Sequence, residues 1–439
     1  MNIFSRLIKK KPKSIINWQT KQGIQEFNKK YNAPFGSSIA SGEENIIFSQ
    51  NVCMSADFQQ TMRNPHVCVI GGSGFGKTYN VVLPNLLQMD GSYIVSDPNG
   101  MLMEKTSELY KKNGYMVKAF SISNPDLSDH YNPFYYLYDE LDIMSFVSCF
   151  LKNTKQTVLP ENEEDTFLKK AEASFMQVII SCLIHYKEKD MQNFATLFKL
   201  LKDKEKLDSL FETTAKENPD ADCIKQYAIC KDGCGEKITP MVLNMLASRI
   251  SEFLNETTKA ITETDTLDLP KLGEVPTIIY LTSNEYTKSA FLHSLLFTQI
   301  FRVLDKSTNR RETYVPIKQR IHMIMDEFCN QIGEIPDFDK LLTISRKYNI
   351  SCMMCMQAIS QIQALYKNNW ETILASCDTI IYCGGTDFKT KQYICKCLGV
   401  DSVDEIKCQK RNDYIIRIHG LDPFLDKKYD HKEHHNKST

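Results

Sequence analysis

Continuous apolar runs recur along the chain and alternate with stretches of helical periodicity. Most of these runs show no polar alternation, which is typical of parallel strands that are buried on both faces. Helical stretches between such strands indicate a doubly wound α/β core with a mostly parallel central sheet. The pattern predicts strands at 66–71, 92–97, 115–121, 275–282, 321–327, 350–356, 379–383 and 414–418.

The pattern changes between residues 139 and 268, where only helical periodicity with Lys- and Glu-rich faces is present. The stretches 165–186 and 239–256 show it most clearly. We therefore predict an all-α insertion domain at 139–268, placed within an α/β domain that is formed by 46–138 and 269–439.

Composition and charge narrow the class of protein. The 439 residues are 42% hydrophobic and 24% charged, as in a folded globular protein. The formal net charge is −1, so any contact with nucleic acid is expected to be local. The chain has 15 cysteines, an odd number, and we recognise no secretory signal peptide before them. Both observations favour a protein of a reducing compartment over a disulfide-stabilised scaffold. No apolar run reaches the roughly 18–20 residues that cross a bilayer, so we expect no transmembrane helix.

The predicted N-terminal segment, residues 1–45, is basic at its start. Residues 1–30 contain eight Lys or Arg and one acid, a net charge of +7. At 1–13, apolar residues at helical spacing lead into a lysine run, which fits a segment that binds peripherally to an anionic membrane surface. The alternative is a solvated, partly disordered tail.

A glycine-rich segment, GGSGFGKT, follows the first predicted strand and precedes a predicted helix. It fits the pattern G-x-x-x-x-G-K-[ST], whose backbone N–H groups and helix N-terminus bind phosphate oxygens. Lys77 would reach the β- and γ-phosphates, and the Thr78 hydroxyl would ligate Mg²⁺. We therefore predict a site for ATP and Mg²⁺ formed by Gly71, Gly72, Ser73, Gly74, Phe75, Gly76, Lys77 and Thr78.

Three further places carry side chains suited to phosphoryl transfer. Asp326 and Glu327 end a predicted strand, where Asp326 would hold Mg²⁺ through water and Glu327 would polarise the attacking water. Gln357 ends the next predicted strand and is suited to sense the γ-phosphate. Arg346, at the end of a helix-like run, is a candidate arginine finger for a neighbouring subunit's site, with a surface helix charge as the alternative.

Together these segments resemble the TraG/TraD-type coupling proteins of conjugative type IV secretion systems. The resemblance runs from about residue 44 to the end of the chain, and its most specific part is MDEFCNQIGEIPDFDKLL at 325–342. It implies a RecA-like P-loop ATPase that forms a homo-hexamer and couples ATP hydrolysis to DNA translocation. The residues to which it assigns roles in nucleotide chemistry are Lys77, Thr78, Asp326, Glu327, Gln357 and Arg346.

The resemblance also implies partners and a location. The partners are DNA, bound mainly through its backbone, a relaxase or relaxosome, and the proteins of a type IV secretion channel. The insertion domain would form the cytoplasmic tip that meets DNA and relaxase. The expected location is the cytoplasm at the inner face of the cell membrane, with membrane association that is peripheral or made through a partner.

Departures from the family pattern leave two alternatives open. The family's transmembrane helices are not found, its D-P-K-G-E turn reads DPNGM at 97–101, and the region after Gly399 is short. One alternative is a nucleotide-gated receptor or scaffold that recruits relaxase and DNA but hydrolyses ATP weakly. The other is a segregation-type DNA pump of the same motor class.

The cysteines and the C-terminal histidines do not predict a metal site. Cys352 and Cys355 are three residues apart on one predicted strand, so their side chains face opposite sides of the sheet. We expect the tail that carries His431, His434 and His435 to be a solvated terminus.

Overall fold

The computed structural model describes residues 16–32, 45–154, 163–283, 290–309, 319–345, 348–406 and 410–434. The described residues form two compact units. The first unit is drawn from Met1–Met89 and Met353–Lys437, and the second from Asp90–Cys352.

The strands are short and mostly buried along their whole length. In chain order they are β1 Asn45–Ile47, β2 Cys53–Ser55, β3 Val67–Gly71, β4 Ser92–Ser96, β5 Met116–Ser121, β6 Thr277–Thr282, β7 Ile321–Met325, β8 Ile350–Met356, β9 Thr379–Gly384, β10 Asp413–Ile418 and β11 Phe424–Lys427. The boundary between the two units falls inside β8.

The helices lie mainly between these strands. They are α1 Lys21–Tyr31, α2 Phe58–Thr61, α3 Leu83–Leu86, α4 Met101–Lys112, α5 Glu140–Asn153, α6 Glu163–Tyr186, α7 Phe194–Lys202, α8 Lys204–Glu217, α9 Asp222–Ser251, α10 Glu256–Thr262, α11 Ala290–Asn309, α12 Phe328–Gln331, α13 Phe338–Ser345, α14 Ile359–Leu365, α15 Trp370–Ala375 and α16 Phe388–Cys397. A π-helical turn, Thr78–Val82, leads into α3.

The sheet strands of the first unit follow the order β11-β10-β9-β3-β8. β3 is parallel to both β8 and β9, and its register with β8 runs from Val67 opposite Met353 to Ile70 opposite Met356. β10 is antiparallel to β9 and β11. Every residue of β3 and β9 is buried, as expected for strands covered on both faces.

The strands of the second unit follow the order β7-β4-β6-β5, and the pairings along it are parallel. Ser96, at the end of β4, lies opposite Met325 of β7 and Leu281 of β6. The carboxyl ends of these strands therefore meet at one edge, where ligands bind in open α/β sheets. The α/β fold class with a mostly parallel sheet is confirmed.

The eight strands predicted from the apolar runs are all present, with ends shifted by up to two residues. The strands that the pattern missed are β1, β2 and β11, which have only three or four residues. Such short strands carry too few positions for a periodicity to be recognised.

The residues described between Asp139 and Asp268 contain helices α5 to α10 and no strand. α6 and α9 are joined by a buried ion pair, in which Arg249 Nε and Nη2 lie 2.8 and 2.9 Å from the Glu172 carboxylate oxygens. α9 is interrupted at Gly235, where φ is +66°. These helices belong to the second unit together with β4 to β7, and the boundaries of an insertion domain stay a prediction.

Part of the basic N-terminal segment is an ordered helix. The buried Phe27 of α1 packs against Phe424 with ring centroids 5.2 Å apart. The first 13 residues, which carry the predicted peripheral membrane-binding segment, lie outside the described residues. No helix within the described ranges is long and apolar enough to cross a membrane.

A buried charge cluster connects the amino ends of β4 and β7. Asp90 is 2.6 Å from the Tyr93 hydroxyl, which donates to it, and 3.2 Å from Arg320 Nη1. The Nε2 atom of His322 lies 2.8 Å from Asp90, within ion-pair distance but without hydrogen-bond alignment. Burial alone would raise the pKa of Asp90, but His322 and Arg320 outweigh it and lower the pKa to about 2.

We expect Asp90→Asn to lower the free energy of unfolding by about 2 kcal/mol at pH 7. Because the folded-state pKa is below that of the unfolded chain, this stability is present above about pH 4 and is lost as the pH falls towards about 2. Urea titrations at several pH values measure both effects. Asp337→Asn, which changes an exposed carboxylate paired with Lys340, is the control. Equal stability of wild type and Asp90→Asn at pH 7 would contradict the prediction.

Candidate nucleotide-binding site

The glycine-rich segment forms a tight loop between β3 and the turn Thr78–Val82 in the first unit. Gly76 has φ +90°, a conformation that L side chains rarely adopt. Gly71 has no space for a side chain, because a Cβ atom there would lie 2.7 Å from the Cβ of Cys383 on β9. The local structure is the strand, glycine turn and helix that a phosphate loop requires.

Lys77 is buried inside this loop. Its ammonium donates hydrogen bonds to the carbonyl oxygens of Gly71, at 2.7 Å, and Gly72, at 3.3 Å. The positive charge is therefore held within the curl of the backbone, where phosphate oxygens would bind.

Distant parts of the first unit hold the loop in place. The N–H of Gly72 donates to the carbonyl of Gly384, at 3.0 Å, and the Tyr414 hydroxyl donates to that of Gly76, at 3.1 Å. The Asn80 side-chain amide donates to the Tyr429 carbonyl, at 2.8 Å. The sequence analysis missed Tyr414, because nothing in the pattern of β10 distinguishes it from an ordinary core tyrosine.

The prediction of a solvated C-terminal tail is wrong for His434. This side chain is 1% exposed, and its Nε2 atom lies 3.1 Å from the Gln88 side-chain oxygen. The Tyr79 and His431 rings also lie together, with centroids 5.7 Å apart. The side chains of His431 and His434 therefore pack against the helical segment that follows the phosphate loop.

Gln357 lies at the same sheet edge as the phosphate loop. It directly follows Met356 of β8, which pairs with Ile70 one residue before the loop begins at Gly71. Its backbone N–H donates to the Gln361 side-chain oxygen, at 2.8 Å, which fixes the start of α14. Gln357 is half-buried, and its role as a γ-phosphate sensor stays a prediction.

The two predicted acids lie in the second unit, directly after β7. Asp326 is 4% exposed; its carbonyl accepts from the Ser96 hydroxyl at 3.0 Å, and its carboxylate accepts from the Glu327 N–H at 3.0 Å. Glu327 is the N-cap residue that precedes α12, and its φ of +50° lies in the left-handed region. Such a conformation costs a side-chain-bearing residue on the order of 1 kcal/mol and is often found where a side chain must be aimed.

Asp97 is a further carboxylate at this edge, and the sequence analysis gave it no site role. It follows β4, the strand next to β7, and accepts from the Met103 N–H at 2.8 Å, so that it caps α4. Burial raises the pKa of Asp97 to about 6, and the Asp326 carboxylate adds to the rise against the backbone hydrogen bonds. The signal that pointed to it was the Asp-Pro-Asn-Gly turn, in which the acid of the family motif is retained.

The predicted magnesium ligands have suitable chemistry. The Thr78 hydroxyl and the Asp326 carboxylate are the oxygen donors that Mg²⁺ prefers, and Mg²⁺ keeps several waters rather than a complete protein cage. No cluster of three or more His, Cys, Asp or Glu side chains that would hold a metal occurs in the described part of the chain. Arg346, the candidate finger, lies outside the described residues.

The model of a family described as Type IV secretory system Conjugative DNA transfer matches residues 12–414, which is most of the chain. The chain belongs to this family. It is similar to Protein VirD4 of Agrobacterium fabrum, with 23% identity over 345 residues, and to Protein VirD4 of Rhizobium rhizogenes, with 22% identity over 345 residues. Each match covers 76% of this chain and 49% of the relative. The chain thus spans about half the length of the curated relatives it matches.

Solved structures with low sequence identity to this chain share its fold. The coupling protein TrwB in complex with ADP and Mg²⁺ has a TM-score of 0.68 at 13% identity, with 96% of each chain covered. TrwB in complex with an ATP analogue, ADPNP, also has a TM-score of 0.68, at 14% identity, with 96% of this chain and 95% of that chain covered. VirB4 of Thermoanaerobacter pseudethanolicus has a TM-score of 0.55 at 13% identity, with 88% of this chain and 96% of that chain covered.

Proposed function

We propose that this chain is an ATP-hydrolysing motor that delivers DNA and relaxase to a conjugative type IV secretion channel. The phosphate loop carries the proposal. Lys77 is buried within this loop, and hydrogen bonds with β9, β10 and the C-terminal segment fix the loop's conformation. Membership of the conjugative DNA-transfer family supports the assignment to DNA transfer.

The nucleotide in this proposal is ATP with Mg²⁺. TrwB has been solved with ADP and Mg²⁺ and with ADPNP, which supports nucleotide binding by this fold. Lys77 would bind the β- and γ-phosphates, and Thr78 and Asp326 would hold Mg²⁺, which would supply positive charge next to the phosphate oxygens. Glu327 orients the attacking water, and Gln357 senses the γ-phosphate.

The motor is proposed to act as a homo-hexamer, with Arg346 of one subunit reaching the nucleotide of the next. DNA is bound mainly through its phosphates, which makes binding independent of sequence and sensitive to salt. The proposed location is the cytoplasm at the inner face of the cell membrane. Membrane association there is peripheral or made through the channel proteins.

The test is ATP turnover by the full chain with and without DNA, together with a mass measurement of the assembly. We expect DNA to raise turnover by about tenfold or more, since binding energy is used to complete the site, and we expect added salt to reverse the effect. An assembly that binds ATP and DNA without hydrolysis would instead support the nucleotide-gated scaffold. Absence of ATP binding would contradict both functions.

A further inference from the structure

A cavity of about 700 Å³ lies at the outer edge of the sheet in the first unit. Its walls are α1, the loop at Gln50 and Asn51, and β11 with the C-terminal residues Tyr429 and Glu433. β11 is the outermost strand of this unit, so one of its edges pairs with no other strand in the described part of the chain. The volume lies within the range of about 300–1,000 Å³ that small-molecule sites occupy.

The free edge of β11 presents the backbone of Leu425 to this cavity. In an antiparallel pair, the backbone groups of alternate residues point towards the partner strand and away from it. The Lys428 N–H donates to the Asn412 carbonyl at 2.9 Å, so even-numbered positions of β11 bond to β10 and odd-numbered positions point outward. Leu425 lines the cavity, and its N–H and carbonyl make no hydrogen bond with any residue that the structure describes.

The chain itself pairs with this edge on both sides of Leu425. The Gln19 N–H donates to the Pro423 carbonyl at 2.9 Å. The Gln50 N–H donates to the Lys427 carbonyl, also at 2.9 Å. Both contacts agree with the outward direction of the odd-numbered positions, and they leave a gap at Leu425. At about 3.3 Å per residue the gap spans about 13 Å, which is room for about three residues of an extended chain.

A buried hydroxyl group also belongs to the cavity. Tyr429 is 6% exposed and its side chain lines the cavity. Its hydroxyl has no hydrogen-bond partner among the residues placed by the structure, whereas a buried tyrosine hydroxyl usually has one. The unused donors and acceptors of Leu425 and Tyr429 therefore indicate a ligand that can both donate and accept hydrogen bonds.

The charges around the cavity do not select an ion. The Asp426 carboxylate already accepts hydrogen bonds from the Ser49 hydroxyl, at 2.7 Å, and from the N–H and side-chain amide of Asn51, at 2.7 and 2.8 Å. The other charged side chains of the lining, Lys21 and Glu433, have opposite signs. The lining also carries the side-chain amides of Gln19, Gln25, Asn28, Gln50 and Asn51. Amides both donate and accept, which suits them to bind the peptide groups of another chain.

We propose that this cavity binds a short extended peptide segment of a partner protein, which pairs with the free edge of β11 at Leu425. One residue of the peptide donates its N–H to the Leu425 carbonyl and accepts the Leu425 N–H at its own carbonyl, as in β-strand addition. The Tyr429 hydroxyl and the amide side chains bond to the neighbouring peptide groups, and Ile24 contacts the apolar side chains of the peptide. The inference goes beyond the proposed function, because no step of it involves ATP.

The first test is isothermal titration of the full chain with the capped tripeptide acetyl-Thr-Val-Thr-amide, whose β-branched residues favour the extended conformation. The control peptide is the same tripeptide methylated at its three residue nitrogens, which removes the N–H donors. We expect methylation to weaken binding by about fivefold or more, because the Leu425 carbonyl stays unpaired. Equal affinities of the two peptides, or no saturable binding of the unmethylated peptide at about 10 mM, would overturn the proposal.

Nuclear magnetic resonance locates the bound peptide. In the full chain labelled with 15N-leucine, the Leu425 amide signal is the one that is missing from the spectrum of Leu425→Val. We expect the unmethylated peptide to move this amide-proton signal to lower field until it saturates, because the N–H gains an acceptor. A Leu425 signal that stays in place while the peptide binds would show a different binding site and would overturn the proposal.

Two substitutions of Leu425 separate its backbone from its side chain. Leu425→Pro removes the outward N–H and leaves the hydrogen bonds to β10, because proline is tolerated at edge positions whose N–H points away from the sheet. We expect it to weaken peptide binding by about fivefold or more, whereas Leu425→Val keeps the N–H and binds within about twofold of wild type. Thermal unfolding shows whether Leu425→Pro is folded. If it is folded, equal affinities of the two variants contradict the proposal; if it is not, the two peptides and the Leu425 signal of the wild-type chain decide.

Discussion

Replacing Lys77 with alanine is expected to abolish nucleotide turnover, with a loss of about a thousandfold or more and a large fall in nucleotide affinity. The ammonium is the positive charge at the centre of the loop, 2.7 Å from the Gly71 carbonyl and buried with it. Its removal leaves backbone N–H groups as the main partners of the triphosphate and takes away the charge that stabilises the transition state. Phosphate release and fluorescent-nucleotide binding measure the two effects.

The matched variants for Lys77 separate charge from geometry. Lys77→Arg keeps the charge but replaces a compact ammonium with a planar guanidinium, and we expect it to be nearly as inactive as alanine. Lys389→Ala, on the exposed surface of α16, is expected to behave as wild type. Nucleotide affinity of Lys77→Ala within about threefold of wild type would contradict the assignment of the loop as a phosphate site.

The principal strands were predictable because a strand buried on both faces needs apolar residues at every position. β8, with the sequence ISCMMCM, is buried throughout, and its apolar residues at successive positions fit a strand that is covered on both faces. β11, with the sequence FLDK, has only four residues and two charges, and it exists because it pairs with β10. Its formation depends on a tertiary partner that the local sequence does not encode.

The phosphate loop was predictable for a different reason: its chemistry dictates residue type at fixed spacing. Only glycine tolerates both φ +90° at position 76 and the approach of β9 at position 71. The contacts that hold the loop from outside were not predictable, since Tyr414 and Gly76 are 338 residues apart in sequence. The motif singles out Asp97 only as a retained acid, because its burial next to Asp326 depends on the pairing of β4 with β7, which the local sequence does not encode.

Glu327→Gln is expected to lower ATP turnover by about a hundred- to ten-thousandfold while ATP binding is retained. The amide keeps the size of the side chain, so we expect residue 327 to keep its backbone conformation, with φ +50°, at the N-cap of α12. What is lost is the carboxylate that accepts a proton from the attacking water. Glu334→Gln, which changes a carboxylate of the same unit that is ion-paired with Lys152, is the control.

Normal turnover by Glu327→Gln would contradict its role and leave Asp97 as the other acid beside Asp326. The two acids predict different pH profiles. Because burial raises the pKa of Asp97 to about 6, a reaction that needs the ionised Asp97 carboxylate would slow as the pH falls below about 6. In that case Asp97→Asn would remove the turnover that Glu327→Gln retains. If the assignment to Glu327 is correct, Asp97→Asn still accepts the Met103 N–H through its amide oxygen, and the variant keeps most of its turnover.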